Sequence, residues 1–347
     1  EFEFERGMGW VDRIRRTGLV GTVDLSSERV GPQGAAQLAE LLAHNNTVEV
    51  LELRETGLLV EGANRIAAML HVNNGLSALE LSDNEIEDAG TNAIAGAIMR
   101  NTSLVKLELQ RNGITAGGAL HIARTLEHNT TLQYLGLAFN GFGDQGATYI
   151  AHALAGRNTT LRQLDLGFNG VGVEGSRALA EALRNNHWLE TLELGYNAIA
   201  DGGALELADA VRDNTVLASL GLPSNGISDE GATRMSQALL ENRTLVQLGL
   251  SSNRIGEAGG VALAGMLRSN YAMGTLYLEE NELEEGGAAA QALSDAREKT
   301  WSVRHLDPSL QLAFLLGLHP RLGRDSLISM LDDNVAQEIL RRCHDRT

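Results

Sequence analysis

Apolar positions along most of the chain follow two alternating rhythms. In the unit that begins at Leu76, leucines at positions 1, 4 and 6 (Leu76, Leu79, Leu81) are followed by Asn84, Ile86 and Gly90. The same marks return 28 residues later at Leu104, Leu107, Leu109, Asn112, Ile114 and Gly118. Positions 4 and 6 alternate as in a short strand, whereas Gly90, Ile94, Ala97 and Ile98 keep the i, i+4, i+7, i+8 spacing of one helix face. A strand–helix unit repeated at this interval predicts a solenoid, in which each unit buries its apolar side only by stacking on the next.

Ten copies begin at Val20, Val48, Leu76, Leu104, Leu132, Leu161, Leu189, Leu217, Leu245 and Met273, and one step of 29 between Leu132 and Leu161 is the sole irregularity. The pattern predicts three parts: an N-terminal cap over 1–19, ten repeats over 20–300 and a helical C-terminal cap over 301–347. Trp10, Val11, Ile14 and Leu19 have helical spacing, with Arg13, Arg15 and Arg16 between them, as a helix covering an open solenoid end requires. After residue 300, Trp301, Arg304 and Leu306 fall where an eleventh strand would begin. Leu310–Leu318 and Ser326–Cys343 read as short helices beyond it, and Leu331–Leu340 faintly resembles an F-box-like helix.

The polar marks have structural readings. Eight copies carry Asn at position 9 (Asn84, Asn112, Asn140, Asn169, Asn197, Asn225, Asn253, Asn281), with Glu28 and Thr56 in the first two. An Asn side chain donates and accepts at once, so stacked copies predict a ladder that satisfies the turn leaving each strand. Glycine at position 15 occurs in every copy and costs about 1 kcal/mol against Ala within a helix, which predicts close approach between the helix and strand layers. A second recurring Asn (Asn45, Asn73, Asn101, Asn129, Asn158, Asn186, Asn214, Asn242, Asn270) predicts a left-handed helix end.

The unit Leu-x-x-Leu-x-Leu-x-x-Asn-x-Ile-x-x-x-Gly with a helical second half resembles the ribonuclease-inhibitor-like class of leucine-rich repeats. The resemblance implies an α/β fold: a right-handed β-α solenoid shaped as a horseshoe, with a parallel sheet on the concave face and helices on the convex face. At about 4.8 Å between strands, ten strands would line roughly 45 Å of arc.

Positions that the scaffold leaves free carry the functional signal. Strand alternation points positions 3, 5 and 7 into the groove and leaves position 8 at its rim. Position 5 is acidic in Asp24, Glu52, Glu80, Glu108, Asp165 and Glu193, which predicts an acidic ridge. Position 8 carries three successive aromatics, Phe139, Phe168 and Tyr196, with Tyr134 at position 3 nearby and small residues Gly136, Ala138, Gly167 and Gly195 beside them. In a chain with 4% aromatics, such a strip has the makings of a protein-binding hot spot or of a stacked structural spine.

Composition narrows the classes. A net charge of −17 argues against a partner bound through phosphate neutralisation. The single Cys343 requires no oxidising compartment, and no apolar run is long enough for a transmembrane helix. The chain does not begin with Met, and Glu1-Phe-Glu-Phe4 lacks signal-peptide form, so it reads as a fragment or processed form. Gly170-Val-Gly-Val-Glu-Gly175 matches a dinucleotide fingerprint, but its marks are the repeat's own. Five Asn-x-Ser/Thr triplets, at Asn45, Asn101, Asn129, Asn158 and Asn242, all fall at one repeat position. No cofactor, metal-ligand or nucleophile motif is present.

The expectation is a non-enzymatic, intracellular, cytoplasmic interaction scaffold that binds a protein bearing a basic segment, and neither nucleic acid nor membrane. A GTPase-activating protein of the same repeat class is the alternative, with Arg54 and Arg111 reaching nucleotide phosphates, or a recognition or structural subunit of a larger receptor, cytoskeletal or ciliary assembly. The first two copies lack the position-9 Asn and are expected to be the softest. Hydrogen exchange should then be faster over 20–73 than at the centre, and equal protection would refute the expectation.

Overall fold

The computed structural model describes residue 10 and residues 19–304, with side chains described as far as residue 296. Strand and helix alternate ten times: β1 (Gly21–Asp24), α1 (Gly31–Leu42), β2 (Val48–Glu52), α2 (Leu59–Leu70), β3 (Ala78–Glu80), α3 (Glu87–Ile98), β4 (Lys106–Glu108) and α4 (Ala116–Leu126). They continue as β5 (Tyr134–Gly136), α5 (Gly143–Gly156), β6 (Gln163–Asp165), α6 (Val173–Asn185), β7 (Thr191–Glu193) and α7 (Ala200–Asp213). The last are β8 (Ser219–Gly221), α8 (Asp229–Leu239), β9 (Gln247–Gly249), α9 (Glu257–Leu267), β10 (Thr275–Tyr277) and α10 (Ala288–Arg304). All ten strands form one parallel sheet in sequence order.

One leucine per strand, from Leu51 to Leu276, points inward with those of positions 1 and 6 and joins the helix faces in a continuous core. Like positions pair with like: Lys106 stands against Tyr134, and Tyr134 against Gln163. The extra residue between Leu132 and Leu161 therefore leaves the register intact. It is absorbed at the end of α5, where the Asn158 N–H donates to the carbonyl of Ala153, five residues back, at 3.2 Å. The corresponding Asn129 and Asn186 reach only four residues back. One consequence is local: the hydroxyl of Thr160 is buried without a partner among the described residues.

The first Asn builds the expected ladder. Asn169 donates through Nδ2 to the carbonyls of Leu137 and Gly167, both at 2.9 Å, and its Oδ1 accepts the Asn140 N–H at 3.1 Å. Its own N–H donates to Asn197 Oδ1 at 2.9 Å. Thr56 takes part of this role in repeat 2, its hydroxyl lying 2.8 Å from the Leu53 carbonyl and 2.9 Å from Asn84 Oδ1.

The second Asn departs from the expectation. Its backbone is not left-handed at any of the nine positions; Asn186 has φ −87° and Asn214 φ −73°. Each side chain is instead a bracket between repeats. Asn129 Nδ2 donates to the carbonyl that ends the preceding helix, Ile98, at 2.7 Å, while Oδ1 accepts the N–H groups of Thr131 and Leu132 at 2.9 and 2.8 Å. The amides of all five Asn-x-Ser/Thr triplets are likewise committed to backbone carbonyls.

The position-15 glycines also serve a different contact from the one expected. A Cβ on Gly90 would stand 2.5 Å from Ile86 Cγ2 and 2.9 Å from Ala63 Cβ. The close approach is thus to the preceding helix and to the unit's own aliphatic residue, not to the strand layer.

Helices are entered in two ways. In α1, α2, α3, α5 and α7 the chain turns in through a left-handed residue: Gly31, Leu59, Glu87, Gly143 or Ala200. Before α4, α6, α8 and α9 that residue is extended, and an Asp from the preceding helix caps the entry. Asp144 accepts the N–H groups of Gly172 and Gly175 at 2.6 and 2.9 Å, Asp201 and Asp229 do the same for α8 and α9, and Asp88 accepts the N–H and the hydroxyl of Thr115 before α4. The glycine-rich stretch 170–175 therefore already holds a carboxylate at its helix N-terminus, where a dinucleotide's pyrophosphate would sit.

The two ends correct further expectations. Val20 is 69% exposed; Leu19 packs on the core in its place, and a register shift between Gly21 and Thr22 accommodates the change. Trp10 is helical and buried, its ring against Gly34; Val11, Arg13, Ile14, Arg15 and Arg16 lie outside the described residues. At the other end α10 runs through Arg304, so Trp301 and Arg304 are helical rather than the start of a strand. The tenth copy carries Glu298 where nine others have the bracketing Asn. Leu306, Leu310–Leu318 and Ser326–Cys343, with the F-box-like stretch, lie outside the described residues. Among the described residues no helix is long and apolar enough to cross a membrane.

Replacing Asn169 by Ala strands the Asn140 N–H at a buried site and removes one of two hydrogen bonds from each of the Leu137 and Gly167 carbonyls, which keep Asn140 Nδ2 and the Phe139 N–H. At about 1–3 kcal/mol for the stranded group and about 0.5–1.5 kcal/mol for each hydrogen bond lost, a loss of about 2 kcal/mol or more is expected in urea denaturation.

Candidate interaction face

Position 8 is left-handed in every repeat, with φ between 52° at Arg111 and 62° at Ser27. Its N–H donates to the position-7 carbonyl of the next repeat, as Phe139 to Gly167 and Phe168 to Gly195, both at 2.9 Å. The turn swings the following Asn inward to its ladder and holds the position-8 side chain outward. A non-glycine residue pays about 1–2 kcal/mol for this geometry, and three of them are bulky aromatics.

Those three rings stack. Phe139 and Phe168 lie 3.8 Å apart between centroids at 15°, and Phe168 and Tyr196 lie 4.0 Å apart at 12°. The Arg111 guanidinium closes one end of the stack, 4.0 Å over Phe139. The rings remain 37%, 36% and 50% exposed in chain order. Each stacked pair contributes about 0.5–1.5 kcal/mol beyond burial, which offsets part of the backbone strain.

Tyr134 is not part of that stack. It stands on the sheet floor, with Lys106 Nζ 4.8 Å over its ring and its hydroxyl bonded to Glu108. Burial, then the charges of Glu108 and Asp165, push its phenol well above the usual tyrosine range.

The position-5 acids are less of a ridge than their spacing predicts. Glu108 is 7% exposed, ion-paired with Lys106 at 3.0 Å and bonded by Gln110, and it lies over the space that a side chain on Gly136 would fill. Glu193 lies in the same way over Gly221. Asp165 accepts the Gly167 N–H at 2.9 Å, and Glu80 the Ser82 N–H at 2.7 Å. Glu52 and Glu80 line a depression of about 490 Å³ together with Arg54, Glu55, Lys106 and Glu108.

Burial raises the carboxyls of Glu80 and Asp165 above their ordinary values, against the hydrogen bonds from Ser82 and Gly167. Glu193 is pushed up to about 7 by burial and then by the charge of Asp165. Arg54 and Arg111 both turn to Asp83, at 3.2 and 3.8 Å, so neither stands as a free projecting cation.

The family comparison agrees with this geometry. A model described as Leucine Rich repeat matches residues 72–95, 100–123, 128–151, 157–180, 185–208 and 241–264. The chain belongs to the leucine-rich repeat family. Among solved structures it is similar to "Leiomodin-1 Actin-Binding Site 2 (ABS2)", with 18% identity and a TM-score of 0.40 over 50% of this chain and 97% of that one. It is also similar to the tropomodulin C-terminal domain of Caenorhabditis elegans, with 20% identity and a TM-score of 0.39 over 48% of this chain and 95% of that one. No curated protein matches the sequence. At these scores the ligand chemistry of this leucine-rich repeat protein has to be read from its own side chains.

Lys106 and Arg111 are the site residues that the aromatic and acidic patterns did not single out for this face. The signal was available in the repeat register, which sets Lys106 beside Tyr134 and Arg111 beside Phe139.

Because the folded carboxyl of Glu193 titrates near 7 and an unfolded one near 4.3, the folded state binds the proton more tightly between those values. Stability should therefore fall as pH rises through that window, with Glu80 and Asp165 adding the same sign. Urea denaturation at about pH 5 and about pH 8 should show the drop, and Glu193→Gln should reduce it and be the more stable protein at the higher pH.

Proposed function

We propose that this leucine-rich repeat array is a non-enzymatic scaffold that docks a protein partner on its sheet face. The stacked rings act as the apolar anchor, and the carboxylates of Glu52, Glu80, Glu108, Asp165 and Glu193 select a basic segment of the partner. Tyr134 offers a second aromatic contact on the floor. A reducing, intracellular setting suits the single cysteine, and the net charge of −17 disfavours nucleic acid as the ligand.

The observation that carries this reading is the aromatic stack. Its three rings sit in left-handed backbone and keep more than a third of their surface in water. The core is built without them, from the leucines and from position-11 residues such as Ile86, Phe142, Val171 and Ile199.

Affinity capture from the source cell lysate should retain a partner on the wild-type chain and lose it on the Phe139→Ala, Phe168→Ala, Tyr196→Ala triple variant. Titration of the captured protein should then show at least about a tenfold weaker Kd for the variant, as removal of hot-spot aromatics does. Circular dichroism should show the repeats still folded; equal affinity for both chains refutes the docking reading.

A further inference from the structure

The aromatic stack is closed at one end and open at the other. At the closed end Arg111 covers Phe139 at 4.0 Å, with Asp83 at 3.8 Å from its guanidinium. At the open end the residue after Tyr196 in the series is Ser224, followed by Ser252. Ser224 has the backbone of Arg111, φ 53° against 52°, and its N–H makes the same bond to the next repeat, at 3.0 Å against 3.1 Å.

A hydroxymethyl group is too short to cover a phenol ring. Tyr196 is accordingly the most exposed of the three, at 50%. Glu193 belongs to the same repeat as Tyr196, and its carboxylate lies over Gly221, on the strand that leads to Ser224. Glu108 has Lys106 beside it; among the described residues no hydrogen-bond donor or cation faces Glu193, whose surroundings are burial and the like charge of Asp165.

The geometry points to the open face of Tyr196, above Ser224, as a slot for an arginine side chain of the protein partner, stacked as Arg111 stacks on Phe139 and attracted by Glu193. This inference rests on the docking reading and names the chemistry of one contact within it. Arginine fits better than lysine because its guanidinium is planar, weakly hydrated and able to lie flat on a ring while donating at its edge. The chain supplies its own example of that fit four repeats' rise away.

The test uses the full chain with an acetylated, amidated Gly-Arg repeat peptide and its Gly-Lys and Gly-Phe counterparts of equal length, titrated at low salt. The arginine peptide should bind about tenfold more tightly than the lysine peptide. Tyr196→Ala should remove that preference, and Glu193→Gln should weaken both basic peptides. Ser224→Arg fills the slot from within the chain, at a position whose backbone already accepts arginine in Arg111, and should abolish the preference without unfolding the repeats. Equal binding of the Arg and Lys peptides to wild type, a Gly-Phe peptide that outcompetes Gly-Arg, or a preference retained in Ser224→Arg overturns the slot. A captured partner lost from the triple aromatic variant but kept by Ser224→Arg would remove the slot and leave the docking reading standing. A partner kept by the triple variant removes the docking reading itself.

Discussion

The constraint on which this structure depends is that every strand must turn away from the sheet without stranding its backbone groups in an apolar interior. Strands of three residues supply few hydrogen bonds of their own. Two Asn positions extend the pairing beyond them, one where the chain leaves the strand and one where it leaves the helix. Each side chain binds carbonyls of the repeat before it, and the position-9 Asn also accepts an N–H from that repeat. No copy can complete this bonding alone, so stability is a property of neighbouring pairs.

The same requirement creates the candidate interaction face. Each copy twists position 8 into left-handed backbone, which in eight of the ten carries the following Asn inward, and whatever stands at position 8 is presented outward at a spacing near the thickness of an aromatic ring. In repeats 5 to 7 that residue is Phe139, Phe168 or Tyr196, and the rings meet at 3.8 and 4.0 Å. Stacking and presentation are not alternatives in this geometry. The faces between rings are satisfied by one another, and the edges and the last face of Tyr196 stay in water.

The chain's acidity divides into two physical roles. Asp88, Asp144, Asp201 and Asp229 neutralise helix N-termini one repeat onward, where the macrodipole and free N–H groups favour a carboxylate. The acids at the centre of the sheet are in the opposite situation. Glu108 and Glu193 fold over glycines of the next strand, lose water, and in the case of Glu193 hold their proton to about pH 7. The first group stabilises the array as it stands; Glu108 is met by Lys106 at 3.0 Å, whereas Glu193 is costly when ionised.

Most of the architecture was legible in the spacing of leucine, Asn and Gly, because the strand period, the helix period and the 28-residue step are properties of chain geometry alone. The ten strands, their parallel order and the outward direction of the aromatic strip follow from it. Rotamers and partners one repeat away do not. Alternation sends Glu108 and Glu193 to one face, but only the absence of side chains at Gly136 and Gly221 lets them lie down on it. The helix-ending Asn residues suggested local backbone, whereas the tertiary structure made them brackets to a neighbour about 28 residues away. Stacking of Phe139, Phe168 and Tyr196 likewise depended on the inter-strand distance and the left-handed turn, which exist only once repeats are in contact. Sequence by itself determined what each repeat exposes and buries, and the packing of repeat on repeat decided which exposed groups satisfy each other and which remain open.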